Sequence, residues 1–167
     1  MKSKFVSILL FLNLIVCSAL LCSYTFAKKD DAAVGRITGI GGIFIKMKDP
    51  KAGNKWYQEN LGLAPSDYGS MFEWRESDSK NIAYTQWSLF SKKSKYFAQD
   101  FMINYRVDDM DALVKKLRAN KVVICDTVES DDFGKFLHIL DCDSNKVELW
   151  QPVTITNANM FKGKTTK

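Results

Sequence analysis

Ile43-Phe44-Ile45-Lys46-Met47-Lys48-Asp49 and, sixty residues later, Ile103-Asn104-Tyr105-Arg106-Val107-Asp108-Asp109 follow one pattern. Each alternates like a half-buried strand, ends in an acidic residue and opens a helix. Successive side chains point to opposite faces of a strand. Ile43, Ile45 and Met47 therefore share one face, as do Ile103, Tyr105 and Val107. Residues 42, 44 and 46, and likewise 102, 104 and 106, take the other. After the first strand, Asp49 is the expected N-cap, Pro50 the first helical residue and Gly62 the stop. After the second, the helix begins at Asp108 or Asp109 and ends near Asn120. Its Met110, Leu113, Val114 and Leu117 form an apolar stripe that is core packing.

Short strands are expected after each helix. In the first half they cover 71–75 and 82–90; in the second they cover 122–128, 135–140 and 146–152. The fold class is therefore α+β, with two tandem βαβββ modules over residues 37–93 and 101–152. Helices pack on one face of an antiparallel-rich mixed sheet, which curls around a shared pocket on the other. A doublet of this length points to duplication about a pseudo-twofold axis.

Outside the repeat, residues 1–27 read as an address. Lys2 and Lys4 precede an uncharged apolar run over 5–21, and Thr25-Phe26-Ala27 resembles a small-x-small cleavage site. That is the layout of a secretory signal peptide. The expectation is export to the periplasm or medium after cleavage near Ala27, with no membrane attachment thereafter. The alternatives are an uncleaved N-terminal anchor and lipidation at Cys17 or Cys22. Residues 28–36 form a polar lead-in, and 153–167 a flexible tail. An exported chain with Cys125 and Cys142 invites a disulfide reading. A hairpin turning near Asp131-Asp132 would set Cys125 opposite residue 138, too far from 142 to bridge, so free thiols are expected.

The charge is mild, +5 from 24 Lys+Arg against 19 Asp+Glu, and is spread along the chain. This disfavours a nucleic-acid binder. The single histidine, His138, excludes a multi-histidine metal site within one chain. Gly39-Ile40-Gly41-Gly42 is no dinucleotide fingerprint, because it lies inside a strand with no helix directly after it. The polar, basic stretch 90–96 reads as an exposed connector between the modules.

Three passages resemble the vicinal-oxygen-chelate superfamily, which includes glyoxalase I, bleomycin-resistance proteins and extradiol dioxygenases. The first runs from Lys48-Asp49-Pro50 to Trp56-Tyr57-Gln58-Glu59-Asn60-Leu61-Gly62-Leu63. The second is Tyr105-Arg106-Val107-Asp108-Asp109-Met110-Asp111-Ala112-Leu113. The third is Leu140-Asp141-Cys142-Asp143-Ser144-Asn145-Lys146-Val147-Glu148-Leu149-Trp150. The resemblance covers residues 37–152. It implies a pocket that, in metal-dependent members, holds a divalent ion on the first and last strands of each module. Carried over by position, the ligands would be Gly42, Gln86, Met102 and Glu148. Glycine has no donor, a thioether suits hard ions poorly, and only Glu148 is a normal ligand. No cofactor is expected; a rearranged divalent-metal site at His138, Glu148 and Gln86 is the alternative. The resemblance also implies that a homodimer is possible.

The turn at 141–145 places His138 opposite Glu148 on the pocket face, as neighbours. They are the candidate catalytic pair: a carboxylate can orient an imidazole and raise its pKa. The alternative is a buried histidine paired only for polar satisfaction. Phe44, Tyr84, Gln86, Met102, Asn104, Arg106 and Trp150 are the candidate ligand contacts. Lys46 and Arg106 occupy equivalent places, either to pair with an anionic ligand or as solvated residues near strand ends. Three functions fit. One is an exported glyoxalase-like protein that binds a small molecule without metal. Another is a lyase- or isomerase-type enzyme using Glu148 and His138. The third is an interaction module whose concave face takes another protein.

Overall fold

The computed structural model describes residues 35–76, 82–153 and 165–166. The expected signal peptide and most of the polar lead-in lie outside the described residues. Among those described, no helix is long and apolar enough to cross a membrane.

Strands β1 (Ile37–Met47), β2 (Ser70–Arg75), β3 (Ile82–Ser91) and β4 (Phe101–Val107) come first in the sheet. They are joined by β5 (Glu129–Asp131), β6 (Gly134–Leu140), β7 (Lys146–Pro152) and β8 (Thr165–Thr166). Helix α1 (Pro50–Leu61) follows β1, and α2 (Met110–Ala119) follows β4. The sheet order is β5-β6-β7-β4-β1-β3-β2-β8.

The repeat is visible in the register. β1 and β4 pair antiparallel at the centre with Ile43 opposite Ile103, so equivalent residues face each other across a local twofold axis. Each then takes a parallel neighbour at the same chain separation, Gly42 beside Gln86 and Asn104 beside Glu148.

Both helices start and stop where their caps dictate. Asp49 and Asp109 accept from the backbone N–H groups of Ala52 and Ala112, and Gly62 ends α1 at φ +70°. Helix α2 sets Met110, Leu113 and Val114 on Val107, Leu137 and Leu149. Helix α1 reaches its sheet through Gly53, its one buried residue. A Cβ there would meet Met47 and come within 2.7 Å of Leu89 Cδ1, so only glycine allows this approach.

Two expectations need correction. The run 122–128 is not a continuous strand. It holds one bridge, Ile124 to Ile139, with a short β5 after it. The pairing fails because the Asp126 carboxylate, not a backbone carbonyl, accepts the His138 N–H, at 2.9 Å. The tail is not free throughout: Thr165–Thr166 add to the edge of β2 opposite Met71 and Phe72. Cys125 does lie opposite His138, donating its N–H to that carbonyl at 2.8 Å, and Cys125 and Cys142 are free thiols.

Candidate functional site

One row of paired residues crosses the concave face of the sheet. It runs Met71, Gln86, Gly42, Asn104, Glu148, His138, each the cross-strand partner of the next. Four members, Met71, Gln86, Asn104 and Glu148, line a cavity of about 520 Å³. Phe44, Tyr68, Phe133, Phe136 and Trp150 supply aromatic walls. The Trp150 indole is fixed by its N–H to the Phe133 carbonyl at 2.9 Å and stacks on Phe136.

Glu148 is 2% exposed. Its Oε1 accepts from Asn104 Nδ2 at 2.5 Å, and its Oε2 accepts from the Tyr96 hydroxyl and bonds His138 Nε2 at 3.0 Å. His138 Nδ1 lies 2.6 Å from Asp126 Oδ2. The result is a chain, Asp126–His138–Glu148, that joins the main cavity to a second opening of about 430 Å³ lined by Asp126 and His138. A buried carboxylate needs such partners, since leaving it unpaired costs several kcal/mol, roughly, after relaxation.

Burial opposes a charged His138, but the hydrogen bond and charge of Glu148, then the bond to Asp126, outweigh it and raise its pKa above 6.5; Lys146 pulls slightly the other way. Tyr96 is raised by burial and by Glu148, so it stays a phenol and a donor. The raised histidine has a sign that can be tested. The folded state holds the proton more tightly than the unfolded chain, so its stabilisation is complete below pH 6.5. It is lost as pH rises through the higher folded value. Urea unfolding between about pH 6 and 9 should show this fall, and it should flatten in His138→Gln. Equal slopes in both proteins would refute it.

The expected contacts divide. Phe44, Gln86, Asn104, Glu148 and Trp150 meet in one cavity. Met102 does not: it is 1% exposed and packed with Phe44 and Phe97. Tyr84 is buried opposite Glu73. Arg106 is neither solvated nor in this cavity, for it pairs with Glu76 in a separate hollow of about 730 Å³. Lys46 is also not solvated. Its Nζ sits 5.0 Å over the Phe97 ring and donates to the Ala98 carbonyl at 3.3 Å.

Sequence reading missed Tyr96 and Asp126. The stretch 90–96 is not merely an exposed connector, because it delivers Tyr96 to Glu148 and stacks that ring on Phe90. The aromatic pair Tyr96-Phe97 inside a polar linker was the available signal. For Asp126, the signal was an acid one residue beyond the position opposite His138.

Solved structures share this architecture. Methylmalonyl-CoA epimerase from Mycobacterium tuberculosis is 19% identical, with a TM-score of 0.53 over 79% of this chain and 99% of that one. A variant of the Streptomyces coelicolor epimerase in complex with 2-nitronate-propionyl-CoA is 19% identical, with a TM-score of 0.56 over 71% and 100%. The chain has the vicinal-oxygen-chelate fold. No family model and no curated protein matches the sequence.

The resemblance implies three or four donors for a divalent ion at the places where this chain has Gly42, Gln86, Met102 and Glu148. These residues do not fit an ion. The Phe44 ring fills the space a side chain at Gly42 would occupy, with its Cε1 2.8 Å from an added Cβ. Met102 is sealed in an apolar cluster. By the internal symmetry, the counterpart of Glu148 in the first half is Ser88, two residues beyond Gln86 on the same strand face. Ser88 is engaged with the Tyr68 carbonyl and with Gln86 Nε2. The rearranged set also fails, since both ring nitrogens of His138 are committed to carboxylates and His138 and Gln86 line different openings. Among the described residues no group of three or more His, Cys, Asp or Glu is placed to hold a metal ion.

Proposed function

We propose that this is an exported small-molecule-binding protein of the vicinal-oxygen-chelate fold, working without a divalent metal. The observation that carries this is the cavity of about 520 Å³, walled by aromatic rings with a short polar row as its floor. Concave, mostly apolar sites with a few fixed polar groups suit small ligands. The rings favour a flat ligand that packs against the Trp150–Phe136 stack and Phe44. The signal-like residues 1–27 support export.

The test is a thermal-shift screen of flat aromatic compounds against the purified mature chain, with metal analysis of the same sample. Expected are stabilising hits that vanish in Phe136→Ala, and less than stoichiometric metal. A tightly held divalent ion at one per chain would overturn the reading.

The Asp126–His138–Glu148 chain favours a second reading, a lyase or isomerase that moves a proton through Glu148. Glu148 already accepts three hydrogen bonds from the protein, which leaves it poorly placed to take a proton from a substrate. Should a turnover assay be found, full activity in Glu148→Gln would remove this second reading.

A further inference from the structure

The hydrogen-bonding polarity of the cavity floor narrows the ligand class, given that the cavity is a ligand site. Most of the side-chain donors are already spent. Asn104 Nδ2 gives one of its two N–H groups to Glu148, and Gln86 Nε2 gives both of its own, to the Tyr68 carbonyl at 2.7 Å and to Ser88. The Ser66 hydroxyl donates to the Gly69 carbonyl, and the Trp150 N–H to that of Phe133. Among the described residues, the lining side-chain donors not yet committed are the second N–H of Asn104, on a residue 3% exposed, and the Tyr68 hydroxyl, on a ring that is mostly exposed at the rim.

The acceptors are not spent. Asn104 must turn its amide nitrogen to Glu148, because a carboxylate only accepts. Its Oδ1 is thereby left without a partner in a residue 3% exposed. It lies over Gly41, where a Cβ would collide with it and come within 2.7 Å of Trp150 Cε3. Gln86, a half-buried residue, uses its Nε2 on the protein, and among the described residues no hydrogen bond engages its Oε1. A buried acceptor without a donor costs about 1–3 kcal/mol, and a ligand N–H would repay that cost.

Charge points the same way. Among the described residues, no lysine or arginine lines the cavity. The nearby cations are held elsewhere: Lys46 on Phe97, Arg106 on Glu76, and Lys146 on the Tyr96 ring and carbonyl. His138 faces two acids, Asp126 and Glu148, so it leaves no surplus positive charge. An anionic ligand would find no counter-ion and a carboxylate in the floor.

We infer that the cavity takes a flat aromatic ligand carrying N–H donors, neutral or cationic, of the amide, amine or amidine class, and rejects carboxylates and acceptor-only carbonyl compounds. This rests on the binding reading above, and the test separates the two. Four compounds of one shape serve as probes by Trp fluorescence titration: 2-naphthamidine, 2-naphthamide, 2-naphthoate and 2-acetonaphthone. The amidine and the amide should bind at least tenfold more tightly than the naphthoate and the ketone. Gln86→Leu should weaken the amidine tenfold or more and leave the ketone unchanged. Naphthoate or ketone binding as tightly as the amidine would overturn the donor inference while leaving the cavity a ligand site. No response to any of the four at millimolar concentration would overturn the binding reading, and this inference with it.

Discussion

Glu148→Ala should cost about 3–5 kcal/mol of stability, the range for removing one partner from a buried charged network. The side chain is not large, and the loss is not chiefly a cavity effect. Three donors converge on this carboxylate from three separate segments: Asn104 on β4, Tyr96 in the connector and His138 on β6. Truncation strands all three in a site where the carboxylate itself was 2% exposed. Tyr96 also loses its anchor, and its ring is one face of the stack with Phe90. Glu148→Gln should cost less than half as much. An amide keeps the shape and one acceptor, but it must turn its NH2 toward a donor or toward a neutral His138. Urea denaturation of the three proteins at one pH measures the series. A loss near or below about 1 kcal/mol in Glu148→Ala would mean that the network is not closed as described. The pH dependence assigned to His138 should weaken in the same variant, because Glu148 is the main group holding its proton.

How far this network could be read in advance depends on how local each contact is. His138 facing Glu148 followed from one tight turn. Asp141 accepts from the backbone of Asp143 and Asn145, which pins the turn, and the hairpin register then counts outward to residues 138 and 148. The helix caps were legible for the same reason, being set within four residues of sequence. The central twofold was legible because the two copies share an alternating pattern, and alternation fixes the face. Met102 shows the limit of this. Its face was right, but a face does not say whether a residue lines a hollow or fills it, and Phe97 arrives from the connector to cover it. Asp126 and Tyr96 lie in segments with no period of their own. Their roles arise where a side chain replaces a backbone partner or reaches across half the domain, and neither event leaves a spacing in the sequence. Arg106 was misplaced because its partner Glu76 lies in the other half of the chain and reaches it only once the sheet has formed.

Gly69→Ala and Gly62→Ala should separate sharply, although both glycines have positive φ, +108° and +70°. At Gly62 nothing lies within 4 Å of an added Cβ, so the change costs only the left-handed backbone strain of about 1–2 kcal/mol. At Gly69 the same atom is driven into the Trp87 carbonyl oxygen and to 2.7 Å from Ser88 Oγ. Neither neighbour can yield. Trp87 is paired with Ser70 in the ladder and its ring rests on Tyr57, while Ser88 is bonded to the Tyr68 carbonyl. Backbone strain of about 1–3 kcal/mol therefore adds to a displaced strand, and a total of about 3 kcal/mol or more is expected. At roughly 4 °C per kcal/mol for a domain of this size, Gly69→Ala should melt more than about 10 °C below the parent, and Gly62→Ala within about 8 °C of it. The damage is also directed. Ser66 and Gly69 exchange backbone hydrogen bonds that hold Tyr68 at the cavity rim. At a temperature where both variants remain folded, Gly69→Ala should thus lose affinity for aromatic ligands and Gly62→Ala should keep it. Equal melting points in the two variants, or equal ligand affinities, would show that the Ser66–Gly69 turn is looser than its contacts indicate.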